Sequence, residues 1–151
     1  MQEFKVPQSQ TPVRVRLTDG QEVDGNFYYP TSAPSGGPGR LIDRLNDPDE
    51  HFVPLSHEGE AGWLLNKSCV QLLEIVGEPG SYGNEGDRQI AVSLQLADGT
   101  PLKGQVAYSM PSDRGRLLDF LNAAPMFIAL ASDSKVWLIN RDMIATIQGD
   151  E

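Results

Sequence analysis

Two stretches of the sequence follow one pattern and decide the fold: Val13-Arg14-Val15-Arg16-Leu17-Thr18-Asp19-Gly20 and Val92-Ser93-Leu94-Gln95-Leu96-Ala97-Asp98-Gly99. Apolar and polar residues alternate in each stretch, which predicts a strand that is buried on one face. The Asp-Gly pair that follows predicts a tight turn in which the glycine adopts positive φ. After four further residues comes a second glycine, Gly25 or Gly104, near the start of the next predicted strand.

The correspondence continues along the rest of the chain. The matched segments are Pro34-Ser35 with Pro111-Ser112, 39–46 with 115–122, 52–55 with 127–130, 63–67 with 137–141, and Val70 and Leu73 with Ile144 and Ile147. The offset falls from 79 residues (Val13 to Val92) to 74 (Val70 to Ile144), and every deletion lies in a predicted loop. So many ordered matches indicate a tandem duplication.

The predicted fold is mainly β with short helices, of the α+β class. It consists of two duplicated small β-barrel-like domains, each with about five strands and one helix, and the helices are expected at 39–46 and 113–122. Closure of each barrel would remove exposed strand edges. The predicted organisation is a flexible arm at 1–12, a first repeat at 13–76, a Gly-rich linker at 77–89 and a second repeat at 90–151.

Composition narrows the classes of function. The 151 residues carry a net charge of −9, and the 12 Lys and Arg residues are dispersed, which disfavours nucleic acid as a partner. We find no apolar run long enough to cross a membrane and no signal peptide, and the single cysteine, Cys69, excludes an intramolecular disulfide framework. We therefore expect a soluble cytoplasmic protein without a cofactor.

The spacing Leu17-Gly20-Gly25-Phe27, repeated as Leu96-Gly99-Gly104-Val106, resembles the first signature of Sm-like barrels, a type of small barrel related in shape to SH3-like domains. The closing stretches 64–70 and 138–144 resemble the second signature loosely. The resemblance implies a small β-barrel and, in that family, RNA binding. The RNA-pocket residues are not matched, because the regions after Gly25 and Gly104 offer Tyr29-Pro30-Thr31 and Tyr108-Ser109-Met110 in place of the Asp and Asn of that pocket, and the closing turns lack its glycine.

One stretch has the composition of an anion site, since glycine N–H groups at a helix start and an arginine can hold a phosphate or carboxylate. The candidate residues are Ser35, Gly37, Gly39 and Arg40 in the first half and Ser112, Gly115 and Arg116 in the second. The alternative is that a loop before a helix needs glycine and a cap in any case. The Arg-x-x-Asp spacing that follows predicts a helical i,i+3 pair, and Asn46 and Asn122 suit helix caps.

An acidic surface distinguishes the first half from the second. Its carboxylates are Asp49, Glu50, Glu58 and Glu60, and their counterparts are nearly uncharged. These loops either present acid to a basic protein partner or simply form a solvated face. His51 and His57 lie nearby, but a predicted strand separates them by about 20 Å, which argues against a shared metal ion.

No catalytic constellation emerges. Trp63 and Trp137 lie in apolar runs and are expected to pack in the core or between halves, and Leu45 and Leu121 are expected to anchor each helix. The sequence thus favours a non-enzymatic protein-interaction module, an adaptor or a regulatory subunit. The alternatives are an Sm-like nucleic-acid binder and an anion or nucleotide sensor.

Overall fold

A computed structural model describes residues 8–30, 41–57, 60–76, 88–108, 116–133 and 135–150. Within these ranges the chain is mainly antiparallel β-structure with short helices, as predicted. The first half contains β1 (Gln8–Leu17), β2 (Glu22–Pro30), α1 (Leu41–Leu45), β3 (Phe52–His57), β4 (Glu60–Asn66) and β5 (Val70–Ile75). The second half contains β6 (Arg88–Leu96), β7 (Pro101–Tyr108), α2 (Leu117–Ala123), β8 (Phe127–Ala131), β9 (Val136–Asn140) and β10 (Ile144–Gly149).

Both Asp-Gly turns form as predicted. Gly20 has a φ of 92° and Gly99 a φ of 93°, the left-handed region that glycine adopts without a steric penalty. The preceding aspartate accepts a hydrogen bond in each turn, from the N–H of Gln21 or of Thr100, at 2.9 Å in both cases. Local turn chemistry therefore accounts for these four residues.

The second glycine of each repeat lies where the neighbouring strand approaches unusually closely. A Cβ atom at Gly25 would stand 2.6 Å from the main-chain oxygen of Ser56, and one at Gly104 would stand 2.6 Å from that of Ala131. Only glycine permits this close approach of β3 to β2, and of β8 to β7. The two glycines of the Gly-x(4)-Gly spacing thus have separate roles: the first forms a turn, and the second lets two strands approach closely.

The ten described strands form one sheet in the order β10-β6-β7-β8-β9-β5-β1-β2-β3-β4. Each half contributes the same internal order, and matching residues pair in the same register. Val13 lies opposite Gly25 and Val92 opposite Gly104, while Leu55 lies opposite Trp63 and Leu130 opposite Trp137. We use "counterpart" below for two residues at the same register position in the two halves.

The expected closure of each half is not seen in the described strand pairings. β5 does not pair with β4 of its own half. It pairs instead with β9 of the other half, through Leu72 with Ile139, Leu73 with Leu138 and Glu74 with Trp137. The sheet therefore keeps two open edges among the described strands, β4 at one end and β10 at the other.

The β8–β9 hairpin contributes to the cores of both halves. Its strands alternate, so that Phe127 and Leu138 join the cluster formed by the first half, whereas Ile128 and Ile139 join the cluster of the second. A strand buried on both faces reads as a continuous apolar run, which is the pattern of 127–130. Packing across β5 and β9 thus joins the halves through the hydrophobic core.

Segment boundaries differ from the prediction in several places. Residues 8–12, expected in a flexible arm, extend β1, and Thr11 is buried there. The helices span Leu41–Leu45 and Leu117–Ala123, shorter than or shifted from the predicted 39–46 and 113–122. Residues 88–89 of the expected linker begin β6, while 1–7 and 77–87 lie outside the described residues.

Candidate functional site

Most of the predicted anion-binding residues, Ser35, Gly37, Gly39, Arg40, Ser112 and Gly115, lie outside the described residues. Arg116 is described, and its exposed guanidinium Nε donates to Asp119 Oδ2 at 3.3 Å, the i,i+3 pair that its spacing predicted. Anion binding at these loops stays a prediction.

The structure describes the side chains of two of the four predicted acidic residues. Asp49 is exposed, and its N–H donates to Asp47 Oδ1 at 2.9 Å. Glu50 is partly buried and forms an ion pair with Arg44, whose Nε lies 2.7 Å from Glu50 Oε1. Glu60 begins β4 opposite His57, and Glu58 lies outside the described residues. Of the two acidic side chains that are described, only Asp49 is fully available to a partner.

The histidines and the cysteine do not assemble into a site. The described part of the chain contains no group of three or more His, Cys, Asp or Glu residues that could hold a metal ion. β3 separates His51 from His57, and His57 Nδ1 lies 2.6 Å from the main-chain oxygen of Asp24. Cys69 is exposed in a one-turn 3₁₀ helix, Lys67–Cys69.

Lys67 lines a cleft of about 570 Å³ between the two halves, to which the second half contributes Pro125 and Asp142 among others. Its side chain is buried, and its ammonium donates to the main-chain oxygens of Leu45 at 2.9 Å and Asp47 at 2.8 Å. These bonds satisfy carbonyl groups at the end of α1. Lys67 therefore has a structural task in this cleft.

Two asparagines hold the junction between β5 and the β8–β9 hairpin. Asn46 does not act as a simple helix cap: its Nδ2 donates to the oxygen of Phe127 at 3.0 Å, and its Oδ1 accepts from the N–H of Phe127 at 2.7 Å. Asn140 is buried, and its Nδ2 donates to the oxygen of Val70 at 3.0 Å. All three bonds cross from one half to the other and fix the position of the hairpin.

Charged groups lie around the same junction. Lys135 Nζ stands 3.1 Å from Glu74 Oε1, and Arg14, bonded to Asp24, stands 3.8 Å from the other oxygen of Glu74. The hydrogen bond with Asp24 raises the pKa of Arg14. The main-chain N–H of Thr100, followed by its hydroxyl, lowers the pKa of Asp98 below its usual value, and the Gln71 side chain adds to this effect.

The first surface that the sequence analysis did not predict is an exposed apolar patch on the β3–β4 hairpin. We call it the hairpin face and define it by Phe52 and Leu64, which point to the same side of the hairpin because side chains alternate along a strand. Phe52 is 52% exposed and Leu64 66%, although their counterparts Phe127 and Leu138 are completely buried. Trp63 lies on the other side of β4, where it is 50% exposed and its ring meets the edge of the His57 ring at 5.4 Å between centroids, so it is not in the core as expected.

The second such surface is a groove at the other end of the molecule. This α2 groove, of about 410 Å³, lies between the end of α2 and the open edge of β10 and is lined by Leu121, Asn122, Arg141 and residues 144–147. Leu118 does not line the groove itself but lies one helical turn before Asn122, on the same side of α2; it is 56% exposed, whereas its counterpart Ile42 is buried. The matched apolar positions are visible in the sequence, but they indicate a surface only once one copy is known to be buried and the other exposed.

Comparison with known proteins gives no relative: no protein family, curated protein or solved structure matches this chain. Among the described residues, no helix has the length and apolar character needed to cross a lipid bilayer.

Proposed function

We propose that the protein is a non-enzymatic protein-interaction module, built from two copies of one small β-sheet unit, and that its partner binds at the open edge of β4 over the hairpin face. The tandem duplication is supported by the repeated strand order and by the identical pairing registers of the two halves. The observation that carries the binding function is the exposure of Leu64 at 66%, when the same register position in the second half, Leu138, is fully buried.

An exposed apolar strand at the edge of a sheet is a template for another strand. Proteins normally protect such edges with lysine, proline or inward-pointing charge. From residue 61 to residue 66, β4 carries no charge and no proline, and three of its residues are Trp63, Leu64 and Leu65. Strand addition would bury this patch and satisfy the main-chain groups of the edge.

The acidic residues assist this function as electrostatic guides. The chain has a net charge of −9, and Asp49 is exposed in the turn that precedes β3. Charges at the rim of an interface mainly affect the rate of association and weaken with salt. A basic partner would therefore bind faster at low ionic strength, whereas a second copy of this acidic chain would bind more slowly there; in both cases the apolar hairpin face supplies most of the affinity.

The test is to isolate proteins bound to the tagged chain from its native host, including untagged copies of the chain itself. We expect a discrete partner that binds again after purification, is lost with Leu64→Arg and is retained with Val76→Arg. Val76 is also an exposed apolar residue, at 42%, but lies at neither surface. Retention of every partner by Leu64→Arg would contradict the proposal. Salt-dependent binding of single-stranded RNA, unaffected by Leu64→Arg, would favour the Sm-like nucleic-acid binder.

A further inference from the structure

The two open ends of the sheet correspond to two strands that pair with each other inside the chain. Inside the chain, β5 of the first half pairs with β9 of the second. The counterpart of β5 is β10, and the counterpart of β9 is β4. These are the two strands that have no outer neighbour among the described residues. Each end of the molecule therefore presents one half of a known interface.

The α2 groove matches the internal site in which the β8–β9 hairpin is seated. In the first half, the corresponding positions Leu45, Val70 and Leu73 are completely buried, and Phe127 and Leu138 belong to the same apolar cluster. In the second half, Leu121, Ile144 and Ile147 are only partly buried and line the groove. The groove thus has the residues of an occupied site without a hairpin over it.

The hairpin face matches the hairpin that fills that internal site. Phe52 and Leu64 occupy the register positions of Phe127 and Leu138, and they lie on the outer face of the β3–β4 hairpin. An exposed knob at one end and a matching groove at the other are complementary between two copies of the chain. They do not meet within one copy, since β4 and β10 are the two ends of the described sheet and Phe52 and Leu64 are exposed.

The polar clamps of the internal junction are also present at both ends. Asn122 is the counterpart of Asn46, it lines the α2 groove, and its side chain makes no hydrogen bond within the described part of the chain. Asn66 is the counterpart of Asn140, and its Oδ1 accepts from the N–H of Ser68 just as that of Asn140 accepts from Asp142. Its Nδ2 is thereby oriented like that of Asn140, which donates to Val70.

The inference drawn from these observations rests on the proposed function and identifies the partner. We propose that β4 of one copy pairs antiparallel with β10 of a second copy of this chain, in the register Leu65 with Thr146, Leu64 with Ile147 and Trp63 with Gln148. Asn122 of one copy would hold the main chain of Phe52 of the other, and Asn66 would donate to the oxygen of Ile144. The interface is head-to-tail, so it produces a closed ring or an open filament.

The junction between copies is weaker than the internal one. The internal ion pair between Glu74 and Lys135, at 3.1 Å, has the uncharged residues Gln148 and Ala61 at its counterpart positions. Leu72, buried at the internal junction, is matched by the smaller and more polar Thr146. Assembly should therefore depend on protein concentration, with the halves of each copy remaining joined.

The experiment measures the mass of the purified chain by sedimentation over a range of concentrations. We expect species larger than the 16.5 kDa monomer for the wild type. Leu64→Arg blocks the hairpin face and Leu118→Arg blocks the α2 groove, and each should raise the dissociation constant roughly 30-fold or more. Both side chains are more than half exposed, so neither change should unfold the chain, and Val76→Arg is the matched control.

Mixing the two blocked variants distinguishes a head-to-tail interface from any other. Each variant keeps one intact surface, so an equal mixture should form a two-chain complex and nothing larger, although each variant alone is monomeric. A wild type that stays monomeric at every concentration would overturn the self-assembly and leave the proposed function to the isolation of another protein. Association that survives Leu118→Arg but not Leu64→Arg would also overturn it, since that result indicates two hairpin faces in contact.

A cross-link fixes the register. In a chain with the exposed Cys69 replaced by serine, Leu65→Cys and Thr146→Cys are placed in separate variants, mixed and oxidised. Directly opposed residues in a sheet lie within disulfide distance, so this mixture should give a cross-linked dimer. Leu64→Cys with Thr146→Cys is the control, shifted by one residue onto the opposite face, and should not cross-link. Equal cross-linking in both mixtures would contradict the proposed register.

Discussion

The β3–β4 and β8–β9 hairpins share their strand register and much of their sequence, yet they are in opposite environments. The outer face of β8–β9 is buried against the first half, and the outer face of β3–β4 is open. Both keep large apolar residues on that face, Phe127 and Leu138 in one and Phe52 and Leu64 in the other. The comparison indicates that the outer apolar residues of the β3–β4 hairpin suit a contact that a single copy of the chain does not make.

The largest expected contrast is between Leu138→Ala and Leu64→Ala. Leu138 is completely buried between the halves, so its truncation leaves a cavity and should lower the free energy of unfolding by about 2–5 kcal/mol. Leu64 is 66% exposed, and its truncation should change that free energy by less than about 0.5 kcal/mol at concentrations where the chain is monomeric. Urea denaturation of both variants checks this, and equal losses would remove the contrast between the hairpins.

A second contrast concerns the helices. The sequence suggested that Leu45 and Leu121 anchor α1 and α2 equally, but Leu45 is fully buried and Leu121 only partly. Leu45→Ala should lower the free energy of unfolding by about 2–4 kcal/mol, and Leu121→Ala by about 1 kcal/mol. Both variants are measured in the Leu118→Arg background, which is expected to prevent assembly. If Leu121→Ala lowers the free energy of unfolding more than Leu45→Ala does, the α2 groove is not empty.

The asparagine clamps give a smaller effect. Asn46→Ala leaves both the N–H and the C=O of Phe127 without their partner and should cost about 1–3 kcal/mol. Asn122→Ala removes a side chain with no such bond in the described monomer and should cost less than about 0.5 kcal/mol. Thermal unfolding of the two variants, together with their sedimentation, separates a loss of fold stability from a loss of assembly.

Acidic substitutions should hardly affect stability. Glu50→Ser removes a partly exposed ion pair with Arg44 and should cost at most about 1 kcal/mol, whereas Asp49→Ser should be nearly neutral. Both should slow association with a basic partner at low salt, as measured by stopped-flow mixing. Unchanged association rates would indicate that these carboxylates only solvate the surface.

The smallest expected effect depends on pH. Because the folded-state pKa of Asp98 is lowered, its contribution to stability is present above the unfolded-state pKa of about 4 and is lost as the pH falls through the folded-state value. Asp98→Asn keeps an acceptor for the N–H of Thr100, so the turn should persist. The difference in stability between wild type and variant should shrink as the pH falls below about 4, and a difference independent of pH would contradict this account.

Local features of the fold could be predicted from the sequence because short-range chemistry determines them. The Asp-Gly turns, the alternation in β1 and β6 and the positions of the helices depend on neighbouring residues. The strand that pairs with β5 could not be predicted, because β4 and β9 have nearly the same apolar pattern and compete for the same edge. The apolar pattern and the register alone do not distinguish them.

The candidate site was less predictable than the fold for a related reason. Exposure of Phe52 and Leu64 arises from the absence of a neighbour, and composition reports only the side chains that are present. The acidic residues stand out in the sequence because they differ between the halves, whereas the apolar residues of the hairpin face are the same in both. Asn46 suits a helix end locally, and its bonds to Phe127 could not be predicted because they span 81 positions in the sequence.

The β8–β9 hairpin, buried on both faces, also has a consequence for the order in which the chain folds during synthesis. The first half leaves the ribosome before β8 and β9 exist, so its surface around Val70 and Leu73 stays uncovered until some sixty further residues have been translated. During that interval the nascent chain offers an apolar groove to any hairpin nearby, including the β3–β4 hairpin of a neighbouring chain on the same messenger RNA. The interval before the second half is complete is therefore the one in which β5 is open to a contact between chains.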